Sequence, residues 1–322
     1  QLSVLVLLSG ILQLILMLAL LWYKGVFPAL TRKVFDNRQV LKELWSLTLP
    51  GLIGGSALQI SFIIDRLLAA SLGDQAVPAL AYTDRIIDLP IGIFAISFGS
   101  VLMSNMAHSA AHNNIEEMRS DLLFGLRQVY FICVPMAFFV VFFHEPLLRL
   151  LLMRGNFTDE DLAQTSQAAI FFGAGIPAFC SLKVILPAFY ARKEMRKPLY
   201  VSLCCITLNI ILNLILMGPL RQGGIALATV LASIANNSTL LWLLRKEGIH
   251  IEFKTLFLTL LRAGVAAAAA SLTWLFYPYL GFFGRWIQFL LGWSAFTGIY
   301  LLVSAILRGP ELNEFIQLFI KK

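Results

Sequence analysis

Apolar runs of roughly 20 residues follow one another along this chain, and each is long enough to cross a bilayer as a helix. We predict nine such spans, at about residues 1–23, 44–73, 84–110, 123–147, 162–190, 198–218, 224–244, 255–280 and 285–308. Inside hydrocarbon every backbone polar group must be satisfied internally, so spanning segments are helices or strands of closed barrels. The ten-residue alternation of barrel strands does not occur in the sequence. The sequence therefore predicts an all-α polytopic membrane protein.

The composition excludes several other classes of protein. Only 13% of the residues are charged, against roughly 25% in soluble domains. The net charge of +7 is not gathered into a dense basic block with interleaved aromatics, which argues against nucleic-acid binding. Cys133, Cys180, Cys204 and Cys205 all lie in apolar segments without zinc-type spacing, so we expect buried small hydrophobes.

The lysine and arginine residues predict the orientation. When the loops alternate from a cytoplasmic loop after the first span, the outer loops hold only Arg149, Arg154, Arg221 and Arg285 of the 25 basic residues. Positive residues concentrate on the cytoplasmic side, so the C-terminus is predicted to be cytoplasmic. On the outer side, Thr158–Asp161 predicts the N-cap and first turn of the fifth span.

The stretch Tyr82–Pro90 places Asp84, Arg85 and Asp88 at the mouth of an apolar run. A charge at membrane depth costs at least ~3 kcal/mol on insertion scales, so such groups normally face a cavity or a partner. The alternative is a motif just outside the bilayer, with both aspartates at a favourable helix N-terminus. The residues alone leave both interpretations open.

Other polar groups inside the spans are few. Asp65, Asn209, Asn213 and Thr229 together offer the hard oxygen ligands that alkali and alkaline-earth cations prefer. The alternative is that the two asparagines make interhelical hydrogen bonds and that Asp65 pairs with Arg66.

The sequence contains few residue patterns that are typical of catalytic sites. No Ser-His-Asp set, phosphate-binding glycine loop or zinc-binding helix occurs in the sequence. His108 and His112, with Glu116 one turn on, could bind a metal, but solvated histidines at a helix end are commoner. The residues alone therefore indicate no particular catalytic activity.

Five motifs resemble the signature of the bacterial lipid II flippase family MurJ, also called MviN, of the multidrug/oligosaccharidyl-lipid/polysaccharide exporter superfamily. They keep their order across most of the chain: Ala81–Phe94 (AYTDRIIDLPIGIF), Leu151–Thr158 (LLMRGNFT), Lys183–Arg192 (KVILPAFYAR), Leu208–Leu214 (LNIILNL) and Gly224–Thr229 (GIALAT).

The resemblance implies a fold of fourteen helices, in which two six-helix lobes surround a cavity and two further helices shape a lipid-facing groove. The nine spans would then comprise the last helix of the first lobe with an inter-lobe linker (1–43), the second lobe (44–247) and the final pair with a cytoplasmic tail (248–322). We accordingly expect a fragment that lacks most of the N-terminal lobe.

The resemblance also implies the site residues. Arg85 would meet the substrate pyrophosphate, Asp84 and Asp88 would position or neutralise Arg85, and Lys183 is a weaker candidate for the same wall. A sodium site known in some family members would comprise Asp65, Asn209, Asn213, Thr229 and the carbonyl of Ile225. This chain departs from that pattern because Arg66 follows Asp65 and Asn213 stands where a carboxylate can occur; both changes lower the negative charge of the site.

The implied function is the flipping of lipid II across the bacterial inner membrane by alternating access, by a monomer that requires no cofactor other than a candidate Na⁺. Another exporter of the superfamily, for polysaccharide-lipids or drugs, remains an alternative. Two further alternatives are an enzyme acting on polyprenyl lipids and a non-transporting membrane scaffold.

Overall fold

The computed structural model describes residues 2–25, 38–282 and 284–320, and every regular element in these ranges is helical. The α-helices are α1 (Leu2–Tyr23), α2 (Arg38–Ala70), α3 (Ala76–Pro90), α4 (Ile96–Ala111), α5 (Ile115–Leu152), α6 (Asp159–Ala191), α7 (Arg196–Lys246), α8 (Phe253–Ser271), α9 (Thr273–Phe276), α10 (Arg285–Ile306) and α11 (Pro310–Ile320). A π-helical turn (Ile91–Ala95) joins α3 to α4, and a 3₁₀ segment (Tyr277–Phe282) follows α9.

Six helical runs in the described residues are long and apolar enough to cross a membrane. They are Ala76–Ala111, Ile115–Leu152, Asp159–Ala191, Arg196–Lys246, Phe253–Phe282 and Arg285–Ile306. A shorter apolar stretch, Leu7–Tyr23, lies in α1. The nine predicted spans fall on these runs and on α1 and α2, with boundaries that differ by up to eight residues. The predicted all-α polytopic membrane class is confirmed.

The chain divides into two compact units, Gln1–Thr48 and Leu49–Lys322. The first contains α1, an almost uninterrupted apolar helix. The second contains all the residues discussed below. The finer division into 1–43, 44–247 and 248–322 stays a prediction.

Helix α7 is one run of 51 residues that contains a reversal at Arg221, where φ is 48° and ψ is −132°. Its two halves are antiparallel neighbours, because the Asn209 and Thr229 side chains hydrogen-bond at 3.2 Å although they are 20 residues apart. In a straight helix a separation of 20 residues would span about 30 Å. Gly224 allows the reversal, since a Cβ at this position would lie 2.2 Å from the Leu216 carbonyl oxygen. The sixth and seventh predicted spans are thus the two arms of a helical hairpin.

The charged motif lies inside a helix rather than at its beginning. Helix α3 begins at Ala76, so Asp84 is more than two turns from the N-terminus and no acidic residue occupies the first turn. The interpretation of Asp84 and Asp88 as charges at a helix N-terminus is therefore wrong. The π-helical turn begins directly after Pro90, which has no backbone N–H to donate.

Helix α6 begins as the sequence predicts. Thr158 is the N-cap: its hydroxyl accepts from the Asp161 N–H at 3.2 Å, and the Asp161 carboxylate accepts from the Thr158 N–H at 2.8 Å. At its other end α6 packs closely on α4, because a Cβ at Gly99 would lie 2.6 Å from the Lys183 carbonyl oxygen. This close approach holds Lys183 beside the α3–α4 run.

The last helices pack on α5 through an aromatic cluster. Phe143 is fully buried against Phe296, and the Tyr300 hydroxyl donates to the Phe131 carbonyl at 2.6 Å. Helix α11 is held by its buried Glu311, which accepts from the Thr259 hydroxyl at 2.6 Å and forms an ion pair with Arg127 at 3.4 Å.

We expect Gly224→Ala to destabilise the α7 hairpin, because the added methyl would overlap the Leu216 carbonyl. Overpacking of this kind costs about 1–3 kcal/mol, and thermal unfolding in detergent should detect it as a lower midpoint. Gly218→Ala in the same helix is the matched control, since a Cβ there meets nothing within 4 Å. Equal midpoints for the two variants would contradict the hairpin geometry.

Candidate functional site

A cavity of about 620 Å³ lies between α2, α3, α6 and both arms of α7. Its lining alternates apolar and polar side chains, with charged groups on three of these helices. The polar and charged lining residues are Gln59, Ser61, Asp65, Arg66, Asp84, Arg85, Asp88, Lys183, Ser202, Asn209, Thr229, Ser233 and Asn236. The structure therefore brings together the predicted cavity residues Arg85, Asp84, Asp88 and Lys183. Three of the predicted cation ligands, Asp65, Asn209 and Thr229, line the same cavity.

The charges on this lining balance. Three side chains are cationic (Arg66, Arg85 and Lys183) and three are anionic (Asp65, Asp84 and Asp88). Charged groups at membrane depth normally pair with one another or face a water-filled cavity. How these charges pair decides which of them can meet a ligand.

Asp84 is engaged by Arg66. One guanidinium nitrogen of Arg66 (Nη2) donates to the Asp84 carboxylate, and the other (Nη1) donates to the Val77 carbonyl at 2.9 Å. The sequence predicted Asp84 as a partner of Arg85 and left open a pair between Asp65 and Arg66. Neither contact is found among the described residues, because Arg66 reaches across from α2 to α3 instead.

Arg85, Asp88 and Lys183 make no ion pair or side-chain hydrogen bond within the described ranges. Arg85 and Asp88 are exposed to the cavity, and Lys183 is half-buried. A guanidinium offers five donors in a planar fork suited to phosphate oxygens. The free Arg85 and Lys183 therefore provide a place where an anionic group can bind.

The predicted cation ligands form one buried cluster behind this wall. The Asp65 carboxylate accepts from Asn213 Nδ2 at 2.6 Å and from the Thr229 hydroxyl at 3.3 Å. The Thr229 hydroxyl also lies 3.0 Å from the Ile225 carbonyl oxygen. Asn209 joins the cluster in either amide orientation: when rotated by 180°, its nitrogen donates to Asp65 at 3.1 Å. All five predicted residues are thus brought together.

The chemistry of this cluster fits a small cation. Asn213 is completely buried, and its Oδ1 has no hydrogen-bond partner in the described part of the chain. An unpaired buried carbonyl oxygen is costly unless something binds it. Together with the Asp65 carboxylate and the Ile225 carbonyl it supplies the oxygen ligands that an alkali cation takes. The alternative pairing of Asp65 with Arg66 is not found, because the Arg66 guanidinium contacts Asp84.

Sequence reasoning missed two features of the cavity. It treated Arg66 only as a perturbation of Asp65, because a contact 18 residues away with Asp84 has no sequence signal. It also expected all four cysteines to be buried. Cys133 and Cys180 are, but Cys204 is exposed and Cys205 is partly exposed on the cavity wall.

The histidine pair does not form a metal site. The rings of His108 and His112 lie 4.6 Å apart. Across the ranges that the structure describes, no three His, Cys, Asp or Glu side chains come together as metal ligands.

Comparisons of sequence find one family. The family model described as "Lipid II flippase MurJ" matches residues 1–293. A probable lipid II flippase MurJ from Buchnera aphidicola (subsp. Schizaphis graminum) is 28% identical over 305 residues, which cover 92% of this chain and 58% of that protein. Its counterpart from Rhizobium meliloti is 31% identical over 245 residues, 74% of this chain and 45% of that protein. The chain spans about half the length of the curated relatives it matches.

Comparisons of structure find the same fold. A solved structure of lipid II flippase MurJ in an inward closed conformation matches with a TM-score of 0.69 and 23% identity, over 87% of this chain and 56% of that one. An outward-facing multidrug resistance transporter of the MATE family matches with a TM-score of 0.57 and 17% identity, over 86% of this chain and 68% of that one. At these identities the likeness shows the fold alone.

The native cysteines test whether the cavity admits water. We expect a charged methanethiosulfonate reagent to label Cys205 in permeabilised membranes, because this thiol lines the cavity. Cys133 and Cys180 should stay unlabelled because both are fully buried. Cys205→Ser should abolish most labelling, whereas its neighbour variant Cys204→Ser should retain it, because Cys204 does not line the cavity. Labelling that is not reduced at all by Cys205→Ser would contradict a water-filled cavity at this position.

Proposed function

This chain belongs to the MurJ lipid II flippase family, and from that premise we propose that it forms the cavity wall that binds the charged head of lipid II during its transfer across the membrane. In this proposal the chain acts as part of a transporter rather than as an enzyme. The observation that carries the proposal is Arg85, a cavity cation without an ion-pair partner among the described side chains.

The physical need for such a cavity follows from the substrate. A lipid-linked pyrophosphate cannot turn its head group through hydrocarbon unaided, because desolvation of an ionised group is prohibitive. A water-filled cavity with free cationic donors lowers that barrier, and charge-assisted hydrogen bonds from a guanidinium suit pyrophosphate oxygens. Arg85 would make these bonds, and Lys183 would add a second positive charge on the facing helix α6.

Release on the other side requires alternating access, in which lobes rock around a fixed binding site. We propose that the protein acts as a monomer in the bacterial inner membrane. Its C-terminus would be cytoplasmic, because the basic residues are concentrated in one set of loops. We also retain the division into the last helix and linker of one lobe (1–43), the second lobe (44–247) and the final pair of helices (248–322).

We further propose that Na⁺ binds to Asp65, Asn209, Asn213, Thr229 and the Ile225 carbonyl. The support is the fully buried Asn213, whose Oδ1 has no hydrogen-bond partner among the described residues and whose Nδ2 donates to the Asp65 carboxylate at 2.6 Å. A bound monovalent cation would satisfy that oxygen and give the cavity one net positive charge, which favours an anionic substrate. An ion gradient could in this way contribute to transport.

A multidrug exporter is the competing function on the same fold. Many transported drugs are cations, and the unpaired Arg85 and Lys183 would repel them. The charge pattern therefore favours an anionic substrate over a cationic one.

Substitution of Arg85 tests the proposal. When a bacterium is depleted of its own lipid II flippase, the intact gene should restore growth and Arg85→Ala should not. Loss of one charge-assisted hydrogen bond costs roughly 1.5–3 kcal/mol, or about 10- to 150-fold in affinity. Arg85→Lys should also fail, because an ammonium cannot reproduce the two-pronged contact of a guanidinium.

Arg149→Ala is the matched control. Arg149 is paired with Glu145 and Asp159 away from the cavity, so its loss should be tolerated. Growth supported by Arg85→Ala would refute the proposed role of Arg85, and failure of the intact gene in spite of membrane insertion would refute lipid II as the substrate.

Sodium should stabilise the protein specifically. A ligand at 100 times its dissociation constant adds about 2.7 kcal/mol to stability, so the thermal midpoint should rise in NaCl relative to choline chloride at equal ionic strength. Asp65→Ala should remove that difference. Thr207→Ala, on the exposed face of the same α7 arm as Asn209, should leave it unchanged. A sodium-dependent shift that persists in Asp65→Ala would contradict the site.

A further inference from the structure

Arg66 lines the cavity although it belongs to neither the predicted anion site nor the predicted sodium site. It follows Asp65 on α2, and its guanidinium contacts both the Asp84 carboxylate and the Val77 carbonyl of α3. The Arg66 and Asp84 side chains are 28% and 23% exposed, so the pair borders the cavity rather than the protein interior. Three charged residues, Arg66, Asp84 and Arg85, thus line the same cavity.

Arg66 determines which cation the Asp84 carboxylate pairs with. Asp84 directly precedes Arg85 on α3, and each carboxylate oxygen can accept a donor from a neighbouring guanidinium. While Arg66 holds Asp84, the carboxylate is directed toward α2, and Arg85 has no ion-pair partner among the residues described. Without Arg66, the Asp84 carboxylate would be an uncompensated charge in a membrane cavity, and Arg85 is the adjacent cation able to compensate it.

We propose that Arg66 is a positioning residue of the anion site, which holds Asp84 away from Arg85 so that Arg85 remains free for the substrate's pyrophosphate. The inference rests on the proposed function for the identity of the anion. It assigns Arg66 no contact with the substrate. Arg66 acts by pairing with the Asp84 carboxylate, which would otherwise compete with the substrate for Arg85.

Two other roles for Arg66 make different predictions. If Arg66 bound the anion directly, its loss could not be repaired by any change to Asp84. If Arg66 only tied α2 to α3, its loss would lower thermal stability without a specific effect on anion affinity. The position of Asp88 supplies a third distinction, since it is a cavity carboxylate that Arg66 does not contact.

The test compares Arg66→Gln, Asp84→Asn, Arg66→Gln/Asp84→Asn and Arg66→Gln/Asp88→Asn in the purified full gene product. Binding of inorganic pyrophosphate and of lipid II is measured for each, together with the thermal midpoint. Both double variants have the same net charge as the unaltered cavity. They differ in whether an unpaired Asp84 remains beside Arg85.

We expect Arg66→Gln to weaken pyrophosphate binding about ten-fold, because a carboxylate then competes for Arg85. Asp84→Asn should bind at least as tightly as the unaltered protein. Arg66→Gln/Asp84→Asn should regain that affinity, and Arg66→Gln/Asp88→Asn should not. Arg85→Gln should lose binding in every background.

Three results would overturn the proposal: unchanged affinity in Arg66→Gln, no recovery in the Asp84 double variant, or equal recovery in the Asp88 double variant. Should Arg66→Gln fail to fold, Asp84→Asn alone still decides, since weaker binding in that variant would show that Asp84 assists the anion. If the order of affinities holds for pyrophosphate while lipid II binds to none of the proteins, the positioning role stands and the proposed function fails.

Discussion

A charge inside a membrane needs a partner or water, and the arrangement of this cavity follows from that requirement. Three acidic and three basic side chains line about 620 Å³ between α2, α3, α6 and α7. Arg66 of α2 and Asp84 of α3 form an ion pair with each other. Asp65 takes its hydrogen bonds from Asn213 and Thr229 instead. Arg85, Asp88 and Lys183 remain without an ion pair among the described residues. Of these three, the two cations are the groups that a phosphate-bearing lipid can use.

The hairpin in α7 is the second condition for the site. Asn209 and Asn213 lie on one arm, and Ile225 and Thr229 lie on the other. Only the reversal at Arg221 and the close approach at Gly224 bring the two arms together over Asp65. The candidate sodium cluster and the cavity wall therefore share this hairpin, which connects the buried oxygen ligands to the exposed polar surface.

The sequence predicted most of the helices correctly, but it did not predict the partner of Arg66 or the exposure of Cys205. The apolar runs predicted the six membrane-crossing runs together with α1 and α2, but not α11. Thr158 with Asp161 predicted the start of α6 correctly. The motif around Arg85 was identified, but the helix it belongs to begins eight residues before Asp84, at Ala76. Arg66 was interpreted beside its sequence neighbour Asp65, whereas its partner lies on another helix. Cys205 was expected to be buried and instead faces the cavity.

The sequence by itself determined the class of fold, because in hydrocarbon a long apolar segment must satisfy its own backbone hydrogen bonds and becomes a helix. It also determined which residue types were available for an anion and a cation site. Only the tertiary structure decided which charges pair and which stay free. Ion pairing depends on distances of a few ångströms between helices, and residues such as Arg66, Asp84 and Asn213 acquire those distances only when the helices pack.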